Sequence, residues 1–555
     1  MNKKVCSFPI LFALLALLIG TCAVVFPASA QAASTSTGSI TVSGTVARSY
    51  DAYQIFDANV IDDDNDAKIA TDLAWASGAA RDAVLPVLHS AGMSNSQTTA
   101  QEAAEWLNTD SHLTSALSAQ LARSLQSSGA EPVALNAGTA AELPCGYWLI
   151  VAKDDAISQN EAGTAPVMAL VGGSAVTVKP KAATPKVQKH VLEDSTAAWQ
   201  KAADATVADD LYWRLSATVP AGLTAYDTYT VQFVDTMSAG LDPSKVAASM
   251  HVYVAAGADG GFDAVSTSKD GRAGTEPAKG WTDITAQCAT KVAADGTFTV
   301  RTGDLIAALG GADAFTAGAR VVAVYNAPLN SACNHGIAKG NPNEVYLRYP
   351  RSPFADQSGE AGFTRTPSDD ACAYTWDLAL TKRGSDGDKP LAGAVLSIAD
   401  DRGRTLAADG AWDADGKATV TTGEDGRVTV SGVDSGKLEV RELKAPKGYT
   451  AFKGTRSVTV KAEGLDVDQV AAAKPKLTIT AESPLRADSA DGSTGSLEAS
   501  LINTPTGTPP SITTGGFMPS TGDMAMYAAA AAAVAGAALI VVALLVKRGG
   551  GSHKE

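Results

Sequence analysis

Two long apolar segments, one near each end of the chain, most constrain what it can fold into. The first follows Lys3 and Lys4, runs from Phe8 to Val25, and is followed by the small residues of Ala28–Ala32. A basic start, a short apolar run and a small-x-small site are the parts of a secretory signal peptide. Residues 1–32 are therefore predicted to be removed after export.

The second apolar segment runs from Met524 to Val546 without a charge and is followed by Lys547 and Arg548. About 20 apolar residues span a bilayer as a helix, and basic residues beside such a helix stay on the cytoplasmic side. A transmembrane helix is therefore predicted at 524–546. The part that folds outside the membrane lies between the two segments.

A short motif stands directly before this predicted helix: Met518, Pro519, Ser520, Thr521 and Gly522. It resembles the LPxTG sorting signal of sortase substrates, with methionine in the leucine position. The resemblance implies that residues 518–555 form a sorting signal and that a sortase cleaves after the threonine and joins its carbonyl to an amine. The helix would hold the precursor in the plasma membrane, and the mature protein would be anchored to the cell wall.

Between the two ends, roughly 490 residues remain, enough for three or four domains. Turn pairs such as Asp415-Gly416 and Asp425-Gly426 recur between short alternating runs, a pattern typical of β-sandwiches. The fold class predicted is mainly β, with tandem immunoglobulin-like or Cna-type sandwich domains. The net charge of −15, without a basic patch, argues against nucleic acid as a partner.

Composition shifts divide this part into three predicted domains. The first contains a helical insertion, because Thr99-Ala100-Gln101-Glu102 has the form of a capping box. A Lys/Pro-rich linker separates it from the second domain. The predicted bounds are 38–180 for the first domain, 186–352 for the second, 373–505 for the third, and 504–517 for a Thr/Pro/Gly-rich stalk.

Four cysteines remain after removal of the signal peptide: Cys145, Cys288, Cys333 and Cys372. In an oxidising compartment an even number favours disulfides, but the pairing cannot be deduced from sequence. We favour Cys288 with Cys333, because both fall in the second domain. Zinc ligation is not expected at these spacings. Nor do we expect a thiol nucleophile at Cys333 beside His335, because sequence neighbours rarely face each other in the required geometry.

Three separated motifs in the third domain resemble a Cna B-type domain. They are Leu378–Lys382, then Leu438–Tyr449 with the sequence LEVRELKAPKGY, and finally Leu501–Pro505. Such domains join a lysine to an asparagine through an intramolecular isopeptide bond. The resemblance implies Lys382 as the nucleophile, Glu442 as the acid/base and Asn503 as the electrophile.

The second domain carries the markers of another family. Pro185–Val191, Phe233–Leu241 and Gly340–Tyr349 resemble the entry strand, the "F-x-D-x-x-x-x-G-L" segment and the closing strand of the fimbrial isopeptide-formation domain. This resemblance implies one residue for each role: Lys189 as nucleophile, Asp235 as acid and Asn343 as electrophile. Lys186 competes with Lys189, and Asn341 competes with Asn343.

The chemistry implied for both trios depends on burial. A lysine attacks only as the neutral amine, and burial lowers a lysine pKa while it keeps a carboxyl group protonated. A neutral acid can then donate to the amide and relay protons. Folding supplies proximity, with effective molarities on the order of 10⁵ M or more.

A further lysine is predicted to join subunits. Val176–Lys181 is similar to the "V-x-V-Y-P-K" segment of backbone pilins, with Lys179 in the tyrosine position. Lys181 is therefore the candidate inter-subunit acceptor.

Together, these features identify the chain as a sortase-assembled Gram-positive pilin with a structural rather than enzymatic role. The partners implied are a pilus-type or housekeeping sortase, other pilin subunits and peptidoglycan, while a host surface ligand is left open. No metal or organic cofactor is needed. The alternative is a monomeric wall-anchored adhesin, or a tip or basal pilin, that uses the same domains as a stalk.

Overall fold

A computed structural model describes residues 36–507, except 45–47, 63–66, 110, 155–156, 158, 181–183, 221–222, 258–260 and 316–318. The predicted signal peptide, the sorting motif, the helix at 524–546 and Lys181 lie outside the described residues. Among the residues that are described, no helix is long and apolar enough to cross a membrane.

The first domain consists of two small sheets with three helices inserted between strands β3 and β4. In one sheet β1 pairs with β5 and, in parallel, with β8, and in the other the order is β3-β2-β6-β7 with β4 also on β2. The elements are β1 Thr37–Val42, β2 Ser49–Asp62, β3 Lys68–Trp75, α1 Gly78–Ser90, α2 Ala100–Asn108, α3 Ser115–Ser127, β4 Val133–Asn136, β5 Ala140–Pro144, β6 Gly146–Ala152, β7 Val167–Val171 and β8 Val176–Val178.

The helical insertion begins as the sequence predicts. Thr99 caps α2, and its side chain accepts the Glu102 backbone N–H while the Glu102 carboxylate accepts the Thr99 backbone N–H. This reciprocal pair satisfies two of the N–H groups that a helix start leaves unpaired. The capping box is confirmed.

The second domain is a sandwich of a six-stranded and a seven-stranded sheet. The orders are β10-β9-β12-β18-β14-β15 and β11-β21-β19-β13-β17-β16, with β20 also on β19. The elements are β9 Val187–Glu193, β10 Ala198–Gln200, β11 Ala202–Asp204, β12 Tyr212–Thr218, β13 Gln232–Met237, α4 Val246–Ser249, β14 His251–Ala255, β15 Thr282–Asp283, β16 Ala289–Val292, β17 Thr297–Arg301, α5 Leu305–Ala308, β18 Arg320–Asn326, β19 Asn341–Pro350, β20 Phe363–Arg365 and β21 Asp369–Tyr374.

This domain extends past residue 352, where the sequence analysis ended it. β21 pairs antiparallel with β19, from Asn341 opposite Ala373 to Val345 opposite Asp369. Ala371 and Ala373 belong to the core of the second domain. The closing motif at 340–349 marks only β19, and the strands that follow it, β20 and β21, complete the sheet.

The third domain is also a sandwich, with sheet orders β27-β22-β33-β29, where β32 also pairs with β33, and β25-β24-β23-β28-β30-β31, where β26 also pairs with β23. Its first strand, β22, pairs in parallel with its last, β33. The elements are β22 Trp376–Gly384, β23 Val395–Ala399, β24 Thr405–Leu406, β25 Trp412–Asp413, β26 Val420–Thr421, β27 Arg427–Val433, β28 Gly436–Lys444, β29 Tyr449–Thr450, β30 Thr455–Glu463, β31 Lys476–Ala481, β32 Leu485–Asp491 and β33 Ser496–Pro505.

The predicted disulfide is wrong. Cys288 and Cys333 are free thiols, as are Cys145 and Cys372. The Cys288 thiol donates to the Ile284 carbonyl at 3.3 Å, whereas Cys333 Sγ lies 3.5 Å from His335 Nε2. Membership of one domain therefore says nothing about pairing, because the two thiols have different partners.

The side chains of Cys333 and His335 are in contact, contrary to the expectation from sequence that they do not face each other. His335 Nδ1 also lies 2.7 Å from Asp377 Oδ2. Burial, reinforced by the charge of Asp377, nevertheless raises the pKa of the Cys333 thiol. The thiolate needed for nucleophilic attack is therefore disfavoured.

The second and third domains meet at a cluster of carboxyl groups: Glu193, Asp194 and Asp204 of the second domain and Asp434 of the third. Trp376 Nε1 donates to Asp204 at 2.6 Å, and the Ser435 backbone N–H donates to the same oxygen at 2.9 Å. Burial, with the charges of neighbouring carboxylates, raises the pKa of Glu193 to about 7 and raises that of Asp434 well above its ordinary value. Glu193 and Asp434 are therefore more readily protonated in this contact between the domains than they would be in water.

We expect Asp434→Asn to reduce the pH dependence of the stability of this junction. A carboxyl group whose pKa is raised by folding stabilises the fold below its ordinary pKa, and this contribution is lost as pH rises. The melting temperature of the native protein should fall between pH 5 and pH 8, and by about 2 °C less in the variant. Calorimetry at the two pH values checks this, with the exposed Asp466→Asn as the control. An equal fall in all three proteins would contradict it.

Candidate functional sites

The second domain brings its three predicted site residues together in the core of the sandwich. Lys189 lies on β9 in one sheet, and Asp235 on β13 and Asn343 on β19 lie in the facing sheet. Alternation explains why polar residues point inward: β9 and β19 bury every second residue, and Lys189 and Asn343 fall in phase with the buried positions. All three side chains are fully buried.

Within this trio, the lysine amine contacts the carboxyl group directly, and a tyrosine hydroxyl lies between the amine and the amide. Lys189 Nζ forms an ion pair with Asp235 Oδ2 and lies 3.0 Å from the hydroxyl of Tyr325, which is 2.8 Å from Asn343 Nδ2. Burial lowers the pKa of Lys189 to about 8 against the opposing charge of Asp235, and burial raises the pKa of Asp235. Both shifts favour the neutral forms of the two groups.

The third domain assembles its trio with a different geometry. Lys382 on β22 and Asn503 on β33 lie on neighbouring parallel strands, with Gly384 opposite Asn503 in register. Glu442 comes from β28 in the facing sheet. Alternation again places each residue inside, since Lys382 follows the buried Leu378 and Leu380 at two-residue spacing.

In this second trio the carboxyl group lies between the amine and the amide. Lys382 Nζ is 3.6 Å from Glu442 Oε1, and Asn503 Nδ2 donates to both carboxyl oxygens at 2.8 and 3.1 Å. The Phe452 backbone N–H donates to Glu442 Oε2 at 3.0 Å and fixes its position. Burial lowers the pKa of Lys382 to about 8, opposed by the charge of Glu442.

The two competing residues lie elsewhere. Lys186 is exposed at the start of the second domain. Asn341 is fully buried, but its side chain pairs with the backbone: Oδ1 accepts the Asn334 N–H at 2.8 Å, and Nδ2 donates to the carbonyls of Asn334 and Ala373. The geometry therefore favours Lys189 over Lys186 and Asn343 over Asn341.

The first domain shows no comparable trio among its described residues. Lys68 Nζ contacts Asp62 and the carbonyls of Gly172 and Ser174, and Lys153 pairs with Asp51. Both amines remain partly accessible to solvent. Neither has the buried carboxamide neighbour that defines the other two sites.

A comparison with known protein families matches residues 377–474 to the family described as "SpaA: Prealbumin-like fold domain". The third domain is similar to this family over most of its length. The match includes Lys382 and Glu442, and it ends before Asn503 on the last strand of the third domain.

Among curated proteins, the chain is similar to the trypsin-resistant surface T6 protein of Streptococcus pyogenes serotype M6. The two are 29% identical over 143 residues, and the match covers 24% of each chain, so about a quarter of the relative is spanned. The chain is thus similar to a streptococcal surface protein, in addition to the family match of its third domain.

Solved structures of pilins give broader but weaker likenesses. The T6 backbone pilin of the same serotype is 16% identical, with 85% of this chain and 98% of that chain covered at a TM-score of 0.46. The full-length major pilin SpaD of Corynebacterium diphtheriae is 14% identical, with 86% and 100% covered at a TM-score of 0.41. The second and third domains are described as β-sandwiches on the basis of the strand pairings given above.

Sequence reasoning missed two buried polar residues of the second domain. Tyr325 contacts all three members of its trio. Lys201 Nζ donates to the Lys189 carbonyl at 2.9 Å and pairs with Asp369, which also accepts the Lys189 N–H. The signal for Tyr325 was present: it follows the apolar run Val321–Val324 and is the one aromatic residue of that strand.

We expect the lowered pKa of Lys382 to appear as a rise in stability with pH when its amide partner is removed. In Asn503→Ala the unfolded chain binds the lysine proton up to about pH 10.5 and the folded chain only up to about 8, so stability should increase between these values. The free energy of unfolding in urea should rise by about 1 to 2 kcal/mol from pH 8 to pH 9.5.

The matched control is Lys382→Met combined with Asn503→Ala, which lacks the titrating amine. The difference between the two proteins isolates Lys382 from the other lysines. A difference that stays constant with pH would show that the lysine pKa is not lowered in the fold.

Proposed function

We propose that the chain is a structural pilus subunit, most simply the shaft subunit, whose second and third domains each form a Lys–Asn isopeptide bond. One observation carries the proposal: each of these two domains buries an amine, a carboxyl group and a carboxamide close together. The amide is linked to the other groups through Tyr325 in the second domain and directly through Glu442 in the third, and the amide oxygens of Asn343 and Asn503 have no hydrogen-bond partner. Ionisable groups are costly to remove from water, and a buried ion pair adds little to the stability of a fold. Their presence is better explained by reaction than by pairing.

The reaction is an amide exchange. The neutral lysine Nζ attacks the asparagine Cγ, a Cγ–Nζ bond forms, and the Cγ–Nδ2 bond breaks to release ammonia. One proton leaves Nζ and one reaches Nδ2, so nothing is oxidised and no further reactant is needed. The lowered pKa of each lysine supplies the free amine, and the buried carboxyl group carries the proton.

The positions of the two pairs suit a part that bears tension. Lys189 is on the first strand of its domain, and Lys382 and Asn503 are on the first and last strands of theirs. A covalent bond at these places would keep most of each domain from extending when the chain ends are pulled. Covalent ties of this kind do not depend on a large hydrophobic core.

Assembly would use the two remaining sequence predictions. A sortase would join the Thr521 carbonyl of one subunit to Lys181 of the next, and a final transfer would attach the polymer to peptidoglycan. Similarity to a streptococcal surface protein and the match of the third domain to the SpaA prealbumin-like fold family support a place in this class. The second candidate, a monomeric adhesin on the wall, shares every feature except the acceptor lysine.

The direct test of the cross-links is the intact mass of residues 33–517 with cysteines reduced. We expect a deficit equal to two molecules of ammonia, since each bond releases one. Lys189→Ala and Glu442→Ala should each recover one. Lys186→Ala is the matched control for the second domain and should leave the deficit unchanged. A mass equal to the sum of the residues would refute the cross-linking.

The test of polymerisation is an immunoblot of cell-wall extracts. A shaft subunit should give a ladder of high-mass bands, and Lys181→Arg should collapse it to a single band because arginine cannot act as the acceptor amine. Lys179→Arg, two residues away, is the control and should keep the ladder. A single band from the unaltered protein would favour the adhesin.

A further inference from the structure

We propose that Tyr325 is a catalytic residue of cross-linking in the second domain and passes a proton to the departing nitrogen of Asn343. The inference rests on the function proposed above. Tyr325 lies outside all three sequence motifs of the second domain.

The hydroxyl of Tyr325 contacts every member of the trio. It accepts a hydrogen bond from Lys189 Nζ at 3.0 Å and another from Asn343 Nδ2 at 2.8 Å, and it donates to Asp235 Oδ2 at 3.1 Å. A phenol offers one donor and two acceptor positions, and all three are used here. The hydroxyl therefore links the attacking nitrogen, the acid and the leaving nitrogen.

The surroundings fix this hydroxyl in place. Tyr325 lies on β18, a central strand, where it is opposite Trp213 of β12. Its ring is fully buried and packs edge-to-face on Phe298, with the ring centroids 4.8 Å apart. Burial raises the pKa of Tyr325 well above its ordinary value, so the hydroxyl keeps its proton at neutral pH.

The geometry explains why an intermediate group is needed. Asp235 Oδ2 is taken by Lys189 and Tyr325, and Oδ1 has no hydrogen-bond partner, so the carboxyl group reaches Asn343 only through the tyrosine. In the third domain the longer Glu442 contacts Asn503 Nδ2 directly. Aspartate with tyrosine in one domain thus corresponds to glutamate alone in the other.

The proton balance follows from these contacts. As Lys189 Nζ bonds to Cγ of Asn343, Nδ2 becomes a pyramidal amine with a lone pair. Tyr325 donates its proton to this lone pair and receives the proton of the neutral Asp235 carboxyl group. The resulting Asp235 carboxylate takes the proton that Nζ loses. Ammonia leaves, and both Tyr325 and Asp235 return to their starting protonation states.

The test follows bond formation in both domains during cell-free synthesis of residues 33–517, the region that contains all three domain cores. Tyr325→Phe keeps the ring and removes the hydroxyl. We expect the second-domain bond to form about 100-fold more slowly, in line with the loss of a general acid. The third-domain bond should form at the unaltered rate in the same molecules, as read from cross-linked peptides by mass spectrometry.

A second variant separates chemistry from packing. Asp235→Glu combined with Tyr325→Phe gives the second domain the acid of the third, so it should recover much of the lost rate. A merely structural role for the tyrosine would not be rescued in this way. Phe298→Leu, which disturbs the ring packing and keeps the hydroxyl, should form the bond at nearly the unaltered rate.

The outcomes are distinguishable. Bond formation in Tyr325→Phe at the unaltered rate would overturn the role of the tyrosine and leave the proposed cross-linking intact. Absence of the second-domain bond from the unaltered protein would overturn both. If Tyr325→Phe does not fold, replacing all tyrosines by 3-fluorotyrosine changes the phenol acidity, and an unchanged pH profile of second-domain bond formation would then refute proton transfer.

Discussion

The burial of a lysine amine inside a β-sandwich is the interaction on which the rest of the structure depends. Lys189 and Lys382 are both fully buried among apolar side chains, where an ammonium ion is poorly solvated. Each fold tolerates this only because a carboxyl group and a carboxamide are buried beside the amine. The sheets on both sides therefore have to bring three polar residues together, and a shift of one residue in strand register would carry such a residue to the opposite face of its sheet.

The two domains meet this requirement in different ways. In the second, the amine crosses between the sheets to reach the amide, and the acid shares the amide's sheet. In the third, amine and amide share a sheet on neighbouring parallel strands, and the acid comes from the other side. The same three groups are thus assembled by two topologies. The two acids also differ in what they contact: Asp235 is linked to its amide through Tyr325, whereas Glu442 contacts its amide directly.

Much of the fold and of the two candidate sites could be predicted from sequence, for physical reasons. Alternation along short strands indicates which face is buried, so a lysine in phase with leucines, such as Lys382, is recognisable as an interior residue. Spacing marks Tyr325 as an aromatic residue of a buried strand but does not show which polar groups it contacts, because these come from other strands. Spacing also does not show that Cys288 and Cys333 stay unpaired, since this depends on where each thiol lies in the fold. The end of the second domain was missed for a related reason: β20 and β21 are short, and only their pairing with β19 shows where they belong.

The position of β19 within the second domain has a mechanical consequence. Asn343 lies on this strand, and β20 and β21 follow before the third domain begins at Trp376. About forty residues between Asn343 and Lys382 would therefore lie outside both covalent loops, and at roughly 3.4 Å per residue they could lengthen to ~130 Å. Under the proposed cross-linking, the second and third domains of each subunit would be two inextensible blocks joined by a compliant segment. That segment would dissipate a sudden pull by breaking backbone hydrogen bonds and re-forming them when the load is released.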